Sequence, residues 1–77
     1  MKIDVKLMSI FAKYQKSDAD GKTTIKDGGT VLDLVRFLGL PEAQVRLIAV
    51  NGKQSDLGTV LSEGDTVFIF PPAIGGG

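Results

Sequence analysis

From Lys2 to Met8 the chain alternates strictly, with Ile3, Val5 and Leu7 on one side and Lys2, Asp4 and Lys6 on the other. A period of two with polar partners predicts a half-buried strand. Phe11 and Tyr14 follow in a less regular stretch that ends in Ser17-Asp18-Ala19-Asp20-Gly21, a polar turn cluster. Lys22 to Lys26 is short and β-branched, and predicts a second strand returning antiparallel to the first. Asp27-Gly28-Gly29 then breaks the pattern.

The period changes at Thr30. Thr30-Val31-Leu32-Asp33 reads as a capping box, a Thr cap with an acid three residues on, opening an apolar-periodic run. Val31, Leu34, Val35 and Leu38 fall on one helical face, while Asp33 and Arg36 point away. Gly39 stands where a left-handed residue ends a helix, and Pro41 prevents resumption, so the spacing predicts a helix over 31–38. Leu47 to Val50 predicts a strand entering a tight Asn51-Gly52 turn. Asp56 to Leu61 reads as a connector offering Leu57, Val60 and Leu61 to the core, and Ser62-Glu63-Gly64-Asp65 as a turn. Thr66 to Phe70 predicts the last strand, which Pro71-Pro72 ends because neither proline can donate to a ladder. The order strand, strand, helix, strand, strand predicts an α+β fold of the β-grasp type. The expected form is a mixed sheet of four to five strands with one main helix packed on one face.

Composition narrows what such a domain can do. Seventy-seven residues, 43% of them apolar, suit one domain over 1–72 followed by a flexible glycine tail over 73–77. Nine basic residues balance nine acidic ones, which removes the footprint of a nucleic-acid binder or a polybasic membrane anchor. No stretch approaches the ~20 apolar residues of a membrane span, and no signal-peptide run opens the chain, so a cytoplasmic protein is expected. With no Cys and no His, zinc sites, disulfides, thiol nucleophiles and imidazole catalysis are excluded for this chain. The carboxylates fall in strand edges, turns and a helix cap. Asp18-Ala19-Asp20-Gly21 lacks the closing glutamate and flanking helices of a calcium loop, so no metal site is expected. Gly28-Gly29 before the helix lacks the spaced glycines and Lys of a phosphate loop.

The remaining chemistry is at the C-terminus. Gly75, Gly76 and Gly77 close the sequence. One reading makes them frayed residues or the remnant of a cleavage. The other is chemical: ATP converts an α-carboxylate to an acyl-adenylate, which then yields a thioester, amide or thiocarboxylate. Glycines lack Cβ and thread narrow channels in conformations closed to other residues. Pro71-Pro72 would stiffen the exit from the last strand and project the tail from the body.

Gly64-Asp65-Thr66-Val67, leading through Phe70-Pro71-Pro72 to the glycines, resembles the ending of the MoaD/ThiS family of ubiquitin-like sulfur carriers. The resemblance covers the whole chain, with Phe11-Ala12-Lys13, Thr30-Val31-Leu32-Asp33-Leu34 and Val50-Asn51-Gly52-Lys53 as further points. It implies a β-grasp carrier, not an enzyme, that binds no cofactor of its own. A partner similar to ubiquitin-activating enzymes would adenylate the terminal glycine with ATP. Sulfur, supplied indirectly by a sulfurtransferase or cysteine desulfurase, would then give a thiocarboxylate. In the molybdopterin branch the tail enters the large subunit of molybdopterin synthase; in the thiazole branch it serves thiazole synthase. A relative of the same type can instead act as a protein modifier, joining its terminus to target lysines. An inert interaction module is the remaining alternative.

The ending departs from the family by one residue. The molybdopterin-type pattern has two residues between the prolines and a final Gly-Gly, whereas Pro72 here precedes Ala73-Ile74-Gly75-Gly76-Gly77. The sulfur-bearing residue is therefore Gly77, or Gly76 if Gly77 is extra. Ala73-Ile74 is similar to thiazole-type endings, while Pro71-Pro72 favours the molybdopterin type. If Val67 and Ile69 pack on the helix, Phe68 and Phe70 face outward and, with Pro71 and Pro72, make a partner-binding patch. From Gln54 onward the only charges are Asp56, Glu63 and Asp65, which predicts a partner with basic residues around an apolar groove.

Overall fold

A computed structural model describes residues 1–72 of the chain. The alternating N-terminal segment forms strand β1 (Lys2–Leu7), and its Ile3, Val5 and Leu7 are buried. A 3₁₀ helix over Ser9–Tyr14 follows, with Phe11 fully buried and its ring edge-on to Tyr14 at 6.3 Å. Strand β2 (Thr23–Thr24) is shorter than the 22–26 expected from the sequence. Only Lys2↔Thr24 and Ile3↔Thr23 pair with β1, although Ile25 still donates its N–H to Met1 O at 3.0 Å and is buried.

Helix α1 (Val31–Leu38) has the predicted bounds. Thr30 Oγ1 accepts the Asp33 N–H at 3.3 Å, and Asp33 Oδ2 accepts the Thr30 N–H at 2.9 Å. Both halves of the capping box are therefore made, which satisfies donors that a helix start otherwise leaves unpaired. Gly39 ends the helix at φ 77, a left-handed conformation that costs a side-chain-bearing residue more than glycine. Val31, Leu34, Val35 and Leu38 are each at most 1% exposed, so the apolar stripe of α1 is buried in the core it shares with the sheet.

After a 3₁₀ turn (Glu42–Gln44) come strands β3 (Leu47–Val50), β4 (Lys53–Ser55) and β5 (Thr66–Phe70). The sheet order is β2-β1-β5-β3-β4, with β1 and β5 parallel and the other neighbours antiparallel. This is the mixed five-stranded sheet with one covering helix of a ubiquitin-like β-grasp. The sequence reading named no strand directly after the Asn51-Gly52 turn; Lys53-Gln54-Ser55 lacks apolar alternation because β4 is an edge that buries little. The connector also needs correction at one position. Leu61 is buried and Leu57 packs against the core, but Val60 is 62% exposed. Its backbone is used instead, bridging Thr30 beside the helix cap.

The Thr30 cap generates two expectations. Thr30→Ala should lower unfolding free energy by about 1 kcal/mol with an unchanged denaturant slope, read from urea titrations. The Thr30 N–H and the nearby Lys26 hold the Asp33 carboxyl below its ordinary range. Its contribution is thus present above the unfolded carboxyl pKa and lost as pH falls through the lower folded one. Comparing parent and Asp33→Asn across that acid range should show the stability difference shrinking as pH drops.

Candidate functional site

β5 is the middle strand, so its alternation determines what lies on each face of the sheet near the tail. Val67 and Ile69 are fully buried beneath α1. Phe68 and Phe70 therefore point to the outer face, where their rings stack with centroids 6.4 Å apart and planes 15° from parallel. They are half-buried rather than fully exposed, as are Pro71 and Pro72. Each ring covers part of the other and of its cross-strand neighbours, which explains the difference from the sequence expectation.

The register places those neighbours. Phe70 is opposite Leu47 on β3, and Phe68 lies between Ala49 on β3 and Lys6 on β1. Leu7 pairs with Ile69, and the Met8 N–H continues the ladder to Ile69 O at 3.1 Å, so Met8 flanks Phe70 on the β1 side. Leu47 and Met8 are 41% and 36% exposed. Arg46 donates its N–H to Phe70 O at 3.2 Å, at the same end. The outer face thus grades from Asp4 and Thr66 at the start of β5, through Lys6 and Phe68, to an apolar row of Met8, Phe70 and Leu47 at the root of the tail. Leu47, Met8 and Arg46 were missed in the sequence reading. The signal for Leu47 was present, since Leu47 and Ala49 have the opposite parity to the core residues Ile48 and Val50.

The acidic character expected beside this patch is not found there. Asp56 Oδ1 accepts the Gly58 N–H at 2.9 Å, and Glu63 Oε1 accepts the Lys2 N–H at 2.9 Å. Asp65 accepts Ser62 N–H and the Asn51 side-chain amide, each at 2.8 Å. Asp56 and Asp65 hold turns, Glu63 ties its turn to β1, and the charged neighbour of Phe68 is Lys6. Among the described residues no three carboxylates gather into a metal-binding group. A groove of about 390 Å³ on the helix side is lined by Ile25, Lys26, Asp33, Arg36 and Phe37. Its charges are largely taken up locally, Lys26 by Asp33 at 3.7 Å and Arg36 by Glu42 at 3.5 Å, and it lies across the sheet from the tail root. The aromatic row is the better candidate site. The expected reactive tail, Gly75, Gly76 and Gly77, lies outside the described residues.

Comparison with known proteins supplies the context. A model of the ThiS family matches residues 8–76. The fold is similar to that of the small archaeal modifier protein SAMP1 from Haloferax volcanii, at 20% identity and a TM-score of 0.68, over 97% of this chain and 99% of that one. It is also similar to a Pyrococcus furiosus protein assigned as molybdopterin converting factor, subunit 1. That match has 26% identity and a TM-score of 0.67, over 94% of this chain and 98% of the other. Nothing among curated proteins matches. No helix among the described residues is long and apolar enough to cross a membrane.

The two faces of β5 should respond differently to truncation. Ile69→Ala should cost about 2–5 kcal/mol in urea unfolding, as for other buried large-to-small changes. Phe70→Ala should cost markedly less, because its ring lies on the outer face and is only partly buried. Equal losses would contradict the face assignment.

Proposed function

The chain belongs to the ThiS family, and on that premise we propose that it is a sulfur carrier acting through the carboxylate of its last glycine. A partner enzyme of the ubiquitin-activating type uses ATP to adenylate that carboxylate, displacing pyrophosphate. The terminal sulfur of a persulfide on a sulfurtransferase or cysteine desulfurase then displaces AMP, and a second thiol cleaves the acyl disulfide so formed, leaving a thiocarboxylate on the carrier and a disulfide on the donor. The carrier binds no cofactor and supplies no catalytic side chain; its partners perform the chemistry in the cytosol. The observation that carries this reading is the family match, which runs from the end of β1 through the helix and β5 into the glycines. The Phe68–Phe70 stack supports it, since a partner handling the tail must approach the apolar row at its root.

The favoured acceptor is a molybdopterin precursor, with the large subunit of molybdopterin synthase as the receiving partner. Pro71-Pro72 and the likeness to the Pyrococcus furiosus protein support that branch. Delivery to thiazole synthase is the second reading, supported by the family description and by Ala73-Ile74.

The test is the intact mass of the chain after incubation with an activating enzyme of this family, ATP and a sulfur source. Replacement of one oxygen by sulfur is expected; a mass that never changes, with an enzyme active on relatives, overturns the carrier reading. The family match ends at Gly76, so deletion of Gly77 distinguishes the two candidate residues. Activation should fall if Gly77 bears the sulfur and rise if Gly76 does. Phe70→Asp should slow activation while the thermal unfolding transition persists.

A further inference from the structure

Asn51 and Gly52 form the β3–β4 turn, both left-handed at φ 53 and 83. The Asn51 side chain is held at both ends. Its Oδ1 accepts the Thr66 N–H at 2.9 Å, and its Nδ2 donates to Asp65 Oδ1 at 2.8 Å. The Asn51 N–H reaches Thr66 O at 2.8 Å, and the second Asp65 oxygen accepts the Ser62 N–H at 2.8 Å. The orientation of the amide follows from its partners, because an N–H must meet the oxygen and a carboxylate must meet the NH₂ group. This clamp ties the turn to the first residue of β5.

The same dipeptide carries a latent reactivity. Glycine has no side chain to shield its backbone nitrogen. When the Gly52 nitrogen loses its proton to hydroxide and attacks Asn51 Cγ, a C–N bond forms and the Cγ–Nδ2 bond breaks. Nδ2 takes a proton from water and leaves as ammonia, and a cyclic imide remains. Water then opens either imide C–N bond to give aspartate or isoaspartate. Water and hydroxide are the only co-reactants, and Asn51 is exposed to both. The attack requires Cγ to swing over its own following peptide bond, away from Thr66 and Asp65. While both side-chain hydrogen bonds persist, the electrophile is withheld.

We propose that Asn51 is a latent deamidation site whose rate is set by opening of the Asn51–Asp65–Thr66 clamp. Reaction also prevents the clamp from re-forming. An aspartate at this position puts carboxylate against carboxylate where Nδ2 met Asp65, and like charges at that distance repel. Isoaspartate adds a backbone methylene to the two-residue turn that the Asn51 N–H holds against Thr66 O. The modification therefore marks molecules that have opened here.

Asn51 is the sequence's one asparagine, and Gln15, Gln44 and Gln54 would have to close a six-membered ring that forms far more slowly, so exchange of ammonia for water in the intact mass reads Asn51. Asp20-Gly21 and Asp27-Gly28 can isomerise through the same imide but without a mass change. The full chain, incubated folded and in urea at one mildly alkaline pH, should deamidate at least about tenfold more slowly when folded, since exchange waits on local opening. Asp65→Ala should accelerate the folded chain roughly tenfold, the size expected for losing one charge-assisted hydrogen bond from the closed state. Glu63→Ala, which loosens the neighbouring turn without touching Asn51, should leave the rate as in the parent. Equal rates folded and unfolded would overturn the proposal. So would an Asp65→Ala chain no faster than the parent, or a Glu63→Ala chain as fast as Asp65→Ala.

Discussion

The alternation of β5 is the constraint on which the rest depends. A strand paired on both edges presents successive side chains to opposite faces, and a slip of one residue would exchange them. Val67 and Ile69 would then face water while Phe68 and Phe70 entered a core sized for aliphatic side chains under α1. Two backbone contacts at the start of the strand oppose such a slip. Asp4 N–H meets Asp65 O and Asn51 N–H meets Thr66 O, each at 2.8 Å, so β1 and the β3–β4 turn fix the same end. From there the ladder carries the register to Phe70, which places the aromatic row at the end of the strand, next to Pro71-Pro72.

Residues whose local chemistry and long-range packing agree were legible in the sequence. Thr30, Asp33 and Gly39 delimit α1 because capping is a property of a few consecutive residues. Ile3, Val5 and Leu7 announce β1 because one face is buried and the other wet. Disagreement follows where pairing rather than side-chain burial makes the element. Lys53-Gln54-Ser55 is a strand because β3 offers an unpaired edge, and no apolar pattern records that. Val60 looks like a core residue but lies in a connector that contributes its backbone to Thr30. At the candidate site, Phe68 and Phe70 followed from parity within one strand. Leu47 and Met8 required knowing which strands flank β5, and that is a matter of topology.

The charge distribution separates the tail root from the rest of the surface. Several carboxylates are hydrogen-bonded to backbone N–H groups in turns or at the helix cap, and Asp4 and Asp20 pair with lysines. The chain thus uses most of its acidity to hold loops, leaving the apolar row beside Lys6 and Arg46. Under the proposed function, this row is the surface beside the tail that a partner would meet.

The parallel pairing of β1 and β5 has a mechanical consequence. Under the proposed function, a partner that draws the tail into a channel would pull on the C-terminal end of β5, while the N-terminal end of β1 lies at the opposite end of the same ladder. Tension between those two points runs along the strands, so the hydrogen bonds between them share the load in shear rather than parting one after another. The handle resists being unravelled by the force that extracts its tail.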